Sequence, residues 1–159
     1  MREEHEINRV IEQYADMVQR ICFLHLNNRS DTEDMFQTIF LKYALSSVTF
    51  KDSDHEKAWL IRVSINACKD RMHSLLRHPT VPLDLLAEQA AIPVESRELL
   101  SLVLALPKKY KDVIYLFYYE GYTAVEIAKI LNKNKNTIYS LLSRARKQLK
   151  EQLGGEAFE

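Results

Sequence analysis

Three of the four prolines in this chain, Pro79, Pro82 and Pro93, fall in one short stretch, and that clustering constrains the fold more than any other feature. Each proline disfavours helical backbone at the residue before it, and an unstructured connection of this length is unusual inside a compact domain. The stretch therefore reads as a flexible linker with a domain on either side, although DLLAEQAA within it has the composition of one short helix. With 159 residues the chain can supply two small cores, since independent domains start at about 50 residues. The expected organisation is a domain over 1–78, a linker over 79–96, a second domain over 97–153 and a tail over 154–159.

Before the linker, Ile7, Val10, Ile11, Tyr14, Val18, Ile21 and Cys22 recur at steps of three and four, the spacing of one helix stripe. Asn27, Asn28 and Arg29 break the pattern, and Ser30 with Glu33 has the spacing of a capping box that would open a second helix. Its expected buried stripe is Met35, Phe36, Ile39, Phe40, Tyr43 and Ala44, with Asp31, Glu33, Asp34, Gln37 and Lys42 turned outward. After SSVTFKDSD, a third helix is expected from about His55, packing Ala58, Trp59, Val63, Ala67 and Met72 and displaying Lys57, Arg62, Asn66 and Lys69.

After the linker, ELLSLVLAL stops at Pro107, and KKYKDVIYLFYY runs to Gly121, a left-handed helix stop. Thr123 and Glu126 form a second capping box before Val125, Ile127, Ala128, Ile130 and Leu131. A short polar break, NKN, leads to a last helix whose buried side is Ile138, Leu142, Ala145 and Leu149. No strand-like alternation of useful length occurs, so the expected fold class is all-α, two small helical domains joined by a linker.

Hydrophobic residues make up 47% and charged residues 28%, the balance of a globular chain. The three glycines, Gly121, Gly154 and Gly155, stand in no phosphate-cradling pattern. The start, MREEHEINRV, is acidic where a secretory signal would be basic and then apolar, and no apolar run approaches the ~20 residues that span a bilayer. A cytoplasmic location without membrane insertion is expected. Cys22 and Cys68 lack Cys-x-x-Cys spacing and read as buried free thiols. The histidines, His5, His25, His55, His73 and His78, show no ligand or catalytic spacing, so no catalytic residue, metal or cofactor is expected.

Net charge is zero, yet its distribution is uneven. Between Asn132 and Lys150 stand Lys133, Lys135, Arg144, Arg146, Lys147 and Lys150, with no Asp or Glu. A capped short helix, a three-residue break and a basic helix are the layout of a helix-turn-helix. Its outward residues Lys135, Asn136, Tyr139, Ser140 and Ser143 would lie near the reading end, and Arg144, Arg146, Lys147 and Lys150 would meet phosphates. Alone, a basic helix end is also what the helix dipole favours.

RSDTEDMFQTIFLKY and AWLIRVSINACKD, followed by LPKKYKDVIYLFYYEGYTAVEIAKILN and NKNTIYSLLSRARKQL, together resemble the extracytoplasmic-function (ECF) group of bacterial sigma factors in the sigma-70 family. The resemblance covers nearly the whole chain and both matches occur in order. It implies a region 2 domain and a region 4 domain that direct core RNA polymerase to promoters and assist melting. By position it implies that Asp31, Glu33, Asp34, Gln37 and Phe40 grip the clamp helices of the polymerase largest subunit. The loop Ser46 to Asp54, with Lys51 and Asp52, would capture a base flipped from the minus-ten element. Lys57, Arg62, Asn66 and Lys69 would flank that strand, with Trp59 either a core residue or a stacking platform.

Lys135, Asn136, Thr137, Tyr139, Ser140, Ser143, Arg144 and Arg146 would read the minus-thirty-five element. The linker from Pro79 to Glu95 would thread the polymerase, and the flap of the second-largest subunit is a further implied partner. An anti-sigma protein that clamps both lobes is a candidate partner as well. Three positions depart from the family pattern: Tyr139 where a basic residue is usual, Leu141 where an arginine is usual, and Thr38 where an acid is common. The competing expectation is a helix-turn-helix regulator that binds duplex DNA alone; bond-making, on either reading, belongs to the polymerase.

Overall fold

The computed structural model describes residues 1–75 and 101–152, and all regular structure among them is helical. The proline stretch, the DLLAEQAA segment, His78 and the tail from 154 lie outside the described residues, as do the side chains of Met72 and His73. The chain divides into two units, Met1–Ala91 and Ile92–Glu159.

In the first unit, α1 (Glu4–Leu26), α2 (Arg29–Leu45) and α3 (Ser53–Leu75) pack around one core, each against both others. Two adjacent asparagines do opposite jobs at the first corner. Asn27 adopts left-handed backbone (φ 52°) and closes α1 by donating its N–H to the Phe23 carbonyl, a conformation asparagine tolerates better than most residues. Asn28 is extended, and its side chain accepts the Asp31 N–H at 3.0 Å, so it caps α2. The expected Ser30–Glu33 box does not form, because Ser30 already lies inside the helix that Asn28 starts. Glu33 pairs instead with Arg29 one turn back, at 3.2 Å.

The core of this unit takes Val10, Tyr14, Val18, Ile21 and Cys22 from α1, as the spacing predicts, and adds Met17, His25 and Leu26; Ile7 and Ile11 are half-buried. From α2 come Met35, Ile39, Phe40, Tyr43 and Ala44, with Phe36 half-buried. On α3 the buried line differs from the expected one: it runs through Leu60, Ile61, Ser64, Ile65 and Cys68, with Ala67 at its edge, while Ala58, Trp59 and Val63 are only half-buried. A polar residue on the line obscured the register. Ser64 is fully buried because its hydroxyl donates to the Leu60 carbonyl at 2.7 Å, which meets the hydrogen-bonding demand of a buried hydroxyl. Cys22 and Cys68 are buried, free thiols facing each other; their hydrogen bond and burial push the Cys22 thiol above its ordinary range.

The second unit opens, among described residues, with a helical stretch at 101–105 that ends before Pro107. The Pro107 carbonyl accepts the first amides of α4 (Lys108–Ile114), from Tyr110 at 2.9 Å and Lys111 at 3.2 Å. α4 widens into a π-helical turn at Tyr115–Tyr119 and stops at Gly121, whose φ of +79° is the left-handed stop expected there. Then follow α5 (Ala124–Leu131) and α6 (Lys135–Gln152), with α6 packed on both α4 and α5. Ile138, Leu142, Ala145 and Leu149 are buried as expected, and Leu141 joins them. On α5, Ile127, Ala128 and Ile130 are buried, but Val125 is exposed and Leu131 half-buried. Eight residues make barely two turns, too few for apolar spacing alone to fix the buried side. No helix among the described residues is long and apolar enough to cross a membrane.

Candidate nucleic-acid interface

The second unit presents α6 through local chemistry that fixes its angle. The Thr123 hydroxyl accepts the Glu126 N–H at 3.2 Å and the Glu126 carboxylate accepts the Thr123 N–H at 3.0 Å, a complete capping box at the start of α5. Hydrogen bonding of the carboxylate to the Thr123 backbone N–H first, and to the Thr123 side chain second, holds the Glu126 carboxyl below its usual range. Asn132 takes the left-handed conformation (φ 55°), and the Lys133 N–H returns to the Ala128 carbonyl at 2.9 Å. Asn134 then accepts the Asn136 N–H on its side chain at 2.8 Å and the Ile138 N–H on its carbonyl, so Asn132, Lys133 and Asn134 form the whole turn.

With Ile138, Leu141, Leu142, Ala145 and Leu149 turned inward, the line of α6 farthest from the core carries Asn136, Ser140, Ser143 and Lys147, all exposed. Lys135, Thr137, Tyr139 and Arg144 are exposed on its flanks, Tyr139 to 53%. Arg146 stands apart. Its Nε donates to the Tyr118 hydroxyl at 2.6 Å, and its guanidinium lies 5.0 Å from the Phe117 ring centre and 5.5 Å from that of Tyr118. The structure thus brings seven of the eight upstream candidates to open surface and ties the eighth to α4's aromatic extension. Leu141 has become a core residue.

In the first unit, the loop between α2 and α3 is held by an aromatic cluster. Phe50 stacks on Tyr43 with ring centres 6.1 Å apart, and it meets Trp59 edge-on at 5.7 Å and His55 at 5.2 Å. Tyr43 meets Trp59 edge-on at 6.0 Å. Asp52 accepts the His55 N–H at 2.8 Å, and the Lys51 N–H donates to His55 Nδ1 at 3.2 Å, which sets the entry to α3. Under the cluster, Glu56 is buried: it accepts the Tyr43 hydroxyl at 2.9 Å and the Arg9 guanidinium at 3.0 Å. Burial first, and the bond to Glu56 second, push the Tyr43 phenol well above its ordinary value of 10. Arg9 is raised by its own hydrogen bond to Glu56. A cavity of about 430 Å³ opens beside the loop, bordered by Arg2, Glu6, Thr49, Phe50 and Glu56.

Trp59, Arg62, Asn66 and Lys69 share the side of α3 opposite its buried line, by their spacing of three, four and three residues. Trp59 therefore lies off the buried line of α3, half-buried against Phe50 of the loop and Tyr43 of α2. Lys57 is not brought to that side. It stands in register with buried Ile61, Ser64 and Cys68 and is half-buried.

Along α2, Glu33, Asp34, Gln37 and Thr38 are exposed, but Asp31 is half-buried and paired with Arg71 of α3 at 3.0 Å. Phe40 is interior, its ring 4.8 Å from that of Phe36. The Thr38 hydroxyl bonds back to the Asp34 carbonyl at 3.0 Å. Leu41 and Leu45, exposed to 58% and 62%, continue the outer line of Asp34, Gln37 and Thr38. Sequence reasoning overlooked both, although their positions, off the buried stripe at three- and four-residue steps, were the available signal.

Comparison with known proteins places these two units in one frame. The Sigma-70 region 2 profile matches residues 10–77 and the Sigma-70, region 4 profile matches residues 96–149. Among curated relatives, the ECF RNA polymerase sigma factor SigW of Bacillus subtilis is 27% identical over 91% of this chain and 87% of its own length. SigM of Mycobacterium tuberculosis is 23% identical over 96% of this chain and 79% of its own. Of solved structures, CnrH, determined in complex with the cytosolic domain of CnrY, aligns over 98% of this chain and 92% of its own with a TM-score of 0.71 at 20% identity. RpoE of Bartonella quintana, determined with the anti-sigma factor NepR, aligns over 96% and 99% with a TM-score of 0.70 at 17% identity. Both regions in order, in a helical fold shared with these proteins, make the chain a member of the sigma-70 family, an RNA polymerase sigma factor of the ECF group.

Proposed function

We propose that residues 1–78 dock on core polymerase and read the minus-ten element, that 97–153 read the minus-thirty-five element, and that 79–96 link the two. The exposed face of α6, free of acids from Lys135 to Lys150 and set by a fully formed capping box and a three-residue turn, carries this assignment. Asn136, Ser140 and Ser143 offer hydrogen-bonding groups to base edges, and Tyr139 offers an apolar contact to a thymine methyl. Lys135, Thr137, Arg144 and Lys147 lie where phosphates would pass. Arg146 acts as a buttress through Tyr118.

On the first unit, Glu33, Asp34 and Gln37, extended by Leu41 and Leu45, form the surface for the clamp helices, while Asp31 and Phe40 support it from behind. Lys51 and Asp52 shape the loop that receives a flipped base, and Trp59, Arg62, Asn66 and Lys69 line the path of the melted strand. Lys57 serves the loop side of the unit and not that path. The second unit also meets the polymerase flap. Two similar structures hold a bound CnrY domain or anti-sigma factor NepR, which supports an anti-sigma partner here. The chain acts in the cytoplasm, without cofactor or metal, and performs no bond chemistry of its own.

Reconstituted holoenzyme tests this. The pair Asp34→Lys and Gln37→Ala is expected to weaken core retention about tenfold, equivalent to roughly 1.4 kcal/mol, with helical content unaltered. Tyr139→Ala is expected to change promoter preference upstream only. Tight duplex binding by the lone chain, with no retention on core polymerase, would instead identify a stand-alone regulator.

A further inference from the structure

The match to region 2 begins at residue 10, yet a residue ahead of it is wired into the promoter-facing loop. Arg2 is largely buried, with its side chain 12% exposed. Its backbone N–H donates to the Ala44 carbonyl at 2.9 Å, and its Nε donates to the Tyr43 carbonyl at 3.0 Å. Both carbonyls belong to the last turn of α2, where helical partners run out and a cation is favoured by the dipole. From there Nη1 reaches Glu6 at 3.0 Å and Nη2 donates to the Val48 carbonyl of the loop. The guanidinium also lies 4.5 Å from the Tyr43 ring centre and 5.1 Å from that of Phe50. One planar side chain thus joins the end of α2, the loop backbone and the loop's aromatic anchor at the border of the 430 Å³ cavity.

We propose that Arg2 is a positioning residue for promoter reading: it fixes the loop at 46–50, and so the shape of the cavity that receives a base displaced from the minus-ten element. The inference rests on the base-capturing role of this loop proposed above. A planar fork is needed, because separate nitrogens of one group donate to two backbone carbonyls and to Glu6 while its carbon stays 4.5 Å and 5.1 Å from two ring centres. Lysine could supply the charge and three donors, but its single nitrogen cannot stand where Nε, Nη1 and Nη2 stand at once. Arg2 itself need not touch the base.

The test uses holoenzyme assembled from core polymerase and the full chain, as wild type, Arg2→Ala, Arg2→Lys and a loop variant with Ser47, Val48 and Thr49 all changed to glycine. Abortive initiation is measured on a promoter panel varied at each minus-ten position, and the readout is the rate ratio between the best and worst base. Arg2→Ala is expected to lower that ratio about fivefold at one position, the size of losing one charge-assisted hydrogen bond. Arg2→Lys should recover only part of it, while core retention and upstream dependence stay at wild-type level. Amide exchange at Val48 and Phe50 should quicken in Arg2→Ala.

A ratio within twofold of wild type in Arg2→Ala overturns the proposal, and so does an equal loss of rate on every base, which marks a merely structural role. If Arg2→Ala does not fold, Arg2→Lys decides: a ratio reduced about threefold supports the proposal and an unchanged ratio overturns it. If the triple-glycine loop keeps the full ratio, the base-capturing role falls and this inference falls with it. If the loop variant loses the ratio and both Arg2 variants keep it, only the inference falls.

Discussion

Glu56 of α3 joins Tyr43 of α2 to Arg9 of α1. It is a buried carboxylate bonded to a buried phenol and to a guanidinium whose side chain is half exposed. Removing it leaves the buried Tyr43 hydroxyl only a long contact to Glu6, at 3.4 Å, so Glu56→Ala is expected to lower the stability of this unit by about 2–3 kcal/mol in chemical denaturation. Arg9→Ala removes only the exposed half of the network and should cost less than about 1 kcal/mol. Equal costs would show that the ion pair, and not the phenol bond, dominates. An acid in the first turn of a helix ordinarily reads as dipole chemistry, and that is why Glu56 was illegible in the sequence. Its register with Leu60 and Ser64 was the available sign. The contacts of Arg146 were hidden for a related reason: basic residues along one helix all look alike until α4's Phe117 and Tyr118 are seen beside one of them. Lys147→Ala should therefore reduce the salt dependence of promoter binding by about one unit of slope, and Arg146→Ala by clearly less. Equal reductions would place Arg146 on the DNA.

At the scale of elements, caps decided what could be read. Thr123 and Glu126 form the predicted box because Gly121 ends the preceding helix and leaves Thr123 extended just where α5 begins. Thr123→Ala is expected to destabilise the second unit by about 1 kcal/mol in thermal unfolding, with the first unit unaffected. No change would mean the turn holds without its cap. Ser30 and Glu33 have the same spacing and make no box, since Asn28 captures the Asp31 amide two residues earlier. Spacing alone does not separate two candidate caps when both precede apolar runs. α3 posed a different difficulty: apolar residues stand on several of its sides, so the buried line could be drawn through Trp59 and Val63 or through Leu60, Ile61, Ser64 and Cys68. A loop that folds its Phe50 against Trp59 resolved that choice, and loop packing leaves little periodic trace.

The whole molecule was legible in outline because its punctuation is strong. Clustered prolines, sparse glycine and helical spacing throughout the described residues separate two units, and the matched region 2 and region 4 profiles fall one in each. What pattern reading leaves out is the coupling of distant residues, such as Arg2 with Val48 and Asp31 with Arg71, because contacts separated by forty or more positions have no local signature. The proposed division of labour, one promoter element for each unit, also imposes a condition that neither meets alone: start sites chosen by this chain must share both an upstream and a downstream motif at a limited range of spacings. Run-off transcription from genomic fragments, with core polymerase in the presence and absence of the chain, measures this directly. Discrete start sites appearing only with the chain, each preceded by both motifs, are the predicted result; no new start sites, or sites that share a single motif, would contradict it.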